Sequence, residues 1–246
     1  YARVWDARMG GDHWGPHAER RFFGDKHWTE LLKWNRAASC EGQRRRIFVM
    51  SMGDWAEGRP DQAPHLERFW RLVPQTPWLD KLMLTKRPQL INKLYPHRAL
   101  GARTDVWMGT TVENTRWMGI RWGHLREVEA AVYWLSMEPL FEAVKLPSDF
   151  LALGVRAWVI VGGQSGAHAN RLDVATARYM RDQCREAGVP FFFKQGSQTE
   201  NWGSSKEFKL FSTFPPDLQI REFPEPMVKR KHQPFEYDPA DGAVPR

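Results

Sequence analysis

The sequence predicts an α/β protein built on a partial (βα) barrel of about six parallel strands. Six short apolar runs recur at spacings of about 24–34 residues, and segments of helical periodicity separate them. The runs lack the polar alternation of half-exposed strands, so they read as strands covered on both faces, as in a parallel sheet. Right-handed crossovers then give either an open doubly wound sheet or a barrel. No glycine-rich dinucleotide fingerprint follows the first run, which favours the barrel.

Taken in order, residues 1–46 are rich in Trp, Arg and Gly and form an N-terminal segment packed on the barrel, with helices expected over 1–9 and 28–38. The barrel proper spans 47–196. Its first strand is the run Ile47-Phe48-Val49-Met50-Ser51-Met52, and Leu66, Phe69, Trp70 and Val73 then stripe one helix face until Pro74 and Pro77. A strand over 81–85 follows. The next helix carries Leu90, Ile91, Leu94 and Tyr95 and stops at Pro96. The third strand covers 106–111, and Met118, Trp122, Leu125 and Val128 stripe its helix. A fourth strand over 131–137 leads into an irregular crossover through Pro147 and Asp149. A fifth covers 157–161. Ala177, Met180, Cys184 and Ala187 mark the last helix, with Gly188 as its cap and a sixth strand over 191–194. Residues 197–246 lose periodicity and read as an extension wrapping the domain.

Composition bounds the function. The 246 residues suffice for one sizeable core, and the apolar runs are too short to span a membrane. Two cysteines, Cys40 and Cys184, make no disulfide framework, so a reducing, cytoplasmic setting is expected, with Cys184 a small core residue. A net charge of +7 and 13 tryptophans point toward DNA or RNA, where cations meet phosphate and rings stack on bases. The runs 44–46 and 229–231 are basic, and read as solvated faces. His13 and His17 have helical metal-pair spacing but lie in a poorly patterned segment.

In parallel sheets and barrels, ligands bind where the strands end. The six strands deliver Asp54 and Trp55; Thr85, Lys86 and Arg87; Thr110, Thr111, Glu113 and Asn114; Ser136 and Glu138; Gly162, Gly163, Gln164, Ser165 and Gly166; and Lys194 and Gln195. These residues are expected to share one rim. On a structural reading, Lys86 and Glu138 would simply close the barrel end as an ion pair. The glycine-rich loop after the fifth strand suits close backbone approach to a ligand. Asp54, Glu113 and Glu138 supply the oxygen ligands that a hard cation such as Mg²⁺ or Mn²⁺ takes, so a metal-dependent hydrolase or nuclease is one reading. A non-catalytic nucleic-acid-binding module is another.

The ordered series Ser51-Met52-Gly53-Asp54, Leu84-Thr85-Lys86-Arg87-Pro88, Gly109-Thr110-Thr111-Val112-Glu113-Asn114, Ser136-Met137-Glu138-Pro139, Gly162-Gly163-Gln164-Ser165-Gly166 and Phe193-Lys194-Gln195 resembles the motifs of a phage- and bacteria-encoded family. That family is itself similar to radical S-adenosylmethionine enzymes, with spore photoproduct lyase as the analogue. The likeness runs over residues 28–196. It implies a 4Fe–4S cluster that reductively cleaves S-adenosylmethionine, giving a radical that abstracts hydrogen from a nucleic-acid substrate. It assigns catalytic roles to Asp54, Lys86, Glu113 and Glu138, with the two glutamates holding amino or hydroxyl groups. It places Tyr1, Ser51, Thr111, Asn114, Gly162, Gly163, Gln164 and Ser165 at the cofactor, and Arg87, Trp55, Lys194 and Gln195 at the substrate. In the family three closely spaced cysteines precede a Tyr-Ala pair. Tyr1-Ala2 therefore sets the expected cluster segment directly upstream and predicts Tyr1 beside the rim, since Cys40 and Cys184 do not replace it. Gln164 stands where the pattern expects Glu, which removes one charge from the rim.

Overall fold

The computed structural model describes residue 15 and residues 17–101, 103–166, 168–198 and 207–225. Tyr1, His13, the helix expected over 1–9 and the basic run 229–231 lie outside them. The fold is α/β, with a six-stranded, all-parallel sheet in the sequential order of a partial (βα) barrel. The elements run α1 (Asp25–Cys40), β1 (Arg45–Val49), α2 (Ala63–Leu72), β2 (Leu79–Thr85), α3 (Ile91–Leu94), α4 (His97–Leu100), β3 (Val106–Thr111), α5 (Thr115–Leu125), β4 (Val132–Met137), α6 (Ser148–Leu151), β5 (Ala157–Gly162), α7 (Val174–Ala187) and β6 (Phe191–Gln195).

Strands β2 to β5 are buried almost throughout because both faces are covered, and they fall within two residues of the predicted positions. Strand β1 differs. It starts at Arg45, two residues earlier than expected, exposes alternate side chains as an edge strand does, and ends before Met50, which turns away at φ 54°. The helix expected over 90–95 is also cut into short pieces. Pro88 opens a 3₁₀ turn, α3 has four residues, and α4 begins just after Pro96. Helix α7 matches its stripe, burying Ala177, Met180 and Cys184 and ending on Gly188 in the left-handed conformation.

The described residues up to Ile47, with Arg59–Asp80, form one compact unit; Phe48–Gly58 and the described residues from Lys81 onward form another. In the first, Asn35 of α1 accepts from the Trp78 amide at 2.8 Å, and Arg44 pairs with the buried Asp80. The strand ends all belong to the second unit. There helices cover one sheet face, with Trp122 of α5 edge-on to Tyr133 of β4. The opposite face, the barrel interior, packs Leu82, Trp107, Val132, Trp134, Trp158 and Ile160 together. Gly109 is the register partner of Trp134, and a Cβ there would overlap the indole ring. Residues 221–223 run beside β6, where Phe223 packs on Trp158 and the Glu222 carbonyl accepts from the Trp158 indole at 2.9 Å.

Candidate functional site

Parallel strands end together, so the sheet brings the predicted polar residues to one end. There they form ion pairs with an uneven exposure. Lys86 pairs with Glu113, their side chains 52% and 13% exposed. Arg87 reaches Asp54 at 2.7 Å, 42% against 15%. Lys194 reaches Glu138 at 2.6 Å, 54% against 15%. At each place the carboxylate is sunk and the cation stands half in water. Glu138 therefore pairs with Lys194, not with Lys86, which Glu113 engages; the sheet register slips beside this pair, where Gly162 faces Gln195.

The local environments separate the two glutamates. Burial would raise the Glu113 carboxyl, but Lys86 and Arg121 outweigh it and hold the group below its ordinary range. Glu138 goes the other way. Burial dominates over Lys194 and the Ser136 hydroxyl, so its carboxyl is pushed up. Asp54 is engaged by its own loop and by the segment after β2: it accepts from the Ala56 amide at 3.0 Å, the Lys86 amide at 3.1 Å and the Arg87 side chain. It shapes the loop and holds Arg87.

Several expected site residues have other partners. Trp55 is fully buried, so it is no platform at the rim for stacking bases. Six of the ten described tryptophans are buried, so the aromatic surplus builds the interior more than the surface. Asn114 is the N-cap of α5, its side-chain oxygen accepting from the Trp117 amide at 3.0 Å. Thr111 is buried, and Ser51 lies in an exposed turn. The close approach at Gly163 is made by the chain itself, since a Cβ there would overlap the Ser197 amide. At Gly162 a Cβ would sit 3.0 Å from the Glu138 side chain. Gln195 donates to the Gly163 carbonyl at 2.8 Å, and Gln164 accepts from Asn170 at 2.9 Å, so both brace the loop. Asp54, Glu113 and Glu138 do not converge as a cation site. Each sits against a cationic side chain, and no group of three His, Cys, Asp or Glu suited to a metal occurs among the described residues. Cys184 is buried, its thiol pushed up to about 12 by burial, whereas Cys40 is exposed.

The residue the motifs missed is Arg121. It donates to the Thr111 carbonyl at 2.7 Å and to Glu113 at 2.6 Å from within α5. A signal was present: Met118, Arg121, Trp122 and Leu125 share one helix face, and an arginine inside an apolar stripe needs a buried partner. A shallow cavity of about 440 Å³ lies away from the rim, beside Trp122, Tyr133 and Asp149. Asp149 there accepts from Trp122 and Arg126, so its polar groups are engaged with one another.

Fold and rim define the class, a partial (βα) barrel with paired charges at the carboxyl ends of its strands. The chain belongs to the family described as "Protein of unknown function (DUF5131)", whose model matches residues 1–234. No curated protein and no solved structure gives a significant match. No helix among the described residues is long and apolar enough to cross a membrane.

Proposed function

We propose that this chain is the barrel of a radical S-adenosylmethionine-type enzyme whose rim holds the amino-acid end of S-adenosylmethionine. The observation that carries the reading is the charge pattern of the rim. Lys86, Arg87, Arg121 and Lys194 face Asp54, Glu57, Glu113 and Glu138, which sums to zero. A neutral rim with separated charges matches a zwitterion. The sunken carboxylates of Glu113 and Glu138 can accept from an ammonium group. The half-exposed ammonium group of Lys194 can turn to a carboxylate, and that of Lys86 can swing clear into water. A site built for a polyanion would carry a net positive charge instead. The ordered motifs of the strand ends support the same assignment.

A 4Fe–4S cluster would supply the electron for such chemistry, and it needs thiolate ligands. The described residues do not fit it: Cys184 lies in the core and no cysteine stands at the rim. No step through a cluster is therefore derived from them. The chain's own part is to bind and orient the ligand at Glu113 and Glu138. The net charge of +7, which the neutral rim does not account for, supports DNA or RNA as the substrate class.

Isothermal titration with S-adenosylhomocysteine tests the reading. Saturable binding that is weakened by Glu138→Gln and left unchanged by a substitution at exposed Tyr179 is expected. Absence of binding, or binding indifferent to Glu138, would overturn it.

A further inference from the structure

We propose that Arg121 is the positioning residue of the rim, fixing Glu113 so that its second oxygen can exchange Lys86 for the ammonium group of a ligand. The inference rests on the reading of the rim given above and deepens it. Two cations share the Glu113 carboxylate, and they are not equivalent. Lys86 meets one oxygen from a side chain that is 52% exposed, while Arg121 meets the other at 2.6 Å from one that is 8% exposed. Arg121 is held in place three ways. The same nitrogen donates to the Thr111 carbonyl at the end of β3, the guanidinium lies 4.1 Å above the Trp117 ring, and α5 fixes its stem.

A half-exposed lysine is freely hydrated and easily displaced, because surface ion pairs are weak. A nearly buried carboxylate left without any cation is costly. With Arg121 fixed, Glu113 stays paired when Lys86 swings out, and one oxygen faces the rim with its charge intact. Arg121 also bears a cost for standing there: its Nε is buried without a hydrogen-bond partner. An apolar residue at this point in the helix stripe would avoid that cost.

The two cations should therefore act with opposite sign on an amine-bearing ligand, which a merely structural role would not produce. The test is titration with S-adenosylhomocysteine and with its analogue bearing hydrogen in place of the α-amino group. Arg121→Met should weaken the amine-bearing ligand about tenfold or more, as loss of a charged hydrogen-bond partner does. Arg121→Lys should recover part of that loss. Lys86→Gln should tighten the same ligand about two- to fivefold by removing a weakly held competitor. Neither change should alter binding of the analogue. Shifts in the same direction, or equal shifts for both ligands, would overturn the proposal. Amine-dependent binding by the unaltered protein without those opposite shifts would overturn the proposal yet leave the rim reading intact; equal affinity for both ligands, or binding of neither, would remove both. Should Arg121→Met fail to fold, Lys86→Gln decides alone, since its side chain is exposed and an absent gain refutes exchange.

Discussion

Replacing Asp105 by Asn should be among the most damaging single changes in the barrel. Asp105 is fully buried at the start of β3 and accepts from Lys81 at 2.9 Å and from Arg103 at 2.8 and 2.9 Å. Lys81 is itself 1% exposed, so the substitution leaves an ammonium group in the interior facing a neutral amide. Breaking a buried pair in this way costs about 3–5 kcal/mol. In a chain of this size each kcal/mol moves the melting temperature by about 2–4 °C, so a fall of about 6–20 °C is expected. Lys81→Met should cost less, because Arg103 still neutralises the carboxylate. The pH dependence has a definite sign. Burial pushes the Asp105 carboxyl up, but Arg103 and Lys81 outweigh it and hold the group below its ordinary range. Its contribution is therefore full above about pH 4 and is lost as the pH falls through the lowered native value. Thermal unfolding followed by far-UV circular dichroism, at neutral pH and in acid, measures both effects. An Asn variant melting within about 2 °C of the unaltered protein at neutral pH would refute the reasoning.

Three further outcomes follow from the same structure. Gly109→Ala should cost about 1–3 kcal/mol, because the new methyl overlaps Trp134 in the packed interior, and the near-UV dichroism of that tryptophan cluster should change with it. Asn114→Ala should cost about 1 kcal/mol by removing the α5 cap while leaving ligand affinity at the rim intact; lost affinity at full stability would return Asn114 to the cofactor site. Alkylation of the native protein, read by intact mass, should label Cys40 and spare Cys184 until denaturant is added, and native labelling at both would contradict the buried thiol.

The architecture was legible because buried strands announce themselves by composition: the Ala-Trp-Val-Ile-Val run is covered on both faces and appears as β5. Where burial is one-sided the signal blurs. The first strand begins two residues before its apolar run: Arg45 and Arg46 look unlike a strand, yet an edge position lets them reach water. The set of rim residues was legible too, since parallel topology carries every strand end to the same side. Partners were not. Asn114 and Gly163 carry residue types that suit a ligand, but a helix end and the neighbouring Ser197 already use them. Trp55 follows a strand end as a stacking residue would, and only burial reveals it as packing. Spacing along the chain likewise gave no means of assigning Lys194, rather than Lys86, to Glu138, because β2 and β6 lie equally far from β4 in the sheet and each brings a lysine to its carboxyl end.

The central claim, that the rim is the site of a zwitterionic adenosyl ligand, is tested most directly by a crystal structure of this chain with S-adenosylhomocysteine. The account predicts the ligand's amino group within hydrogen-bond distance of Glu113 or Glu138, with Lys194 turned to its carboxylate. A ligand seated away from the strand ends, with the Lys86–Glu113 and Lys194–Glu138 pairs undisturbed, would contradict it.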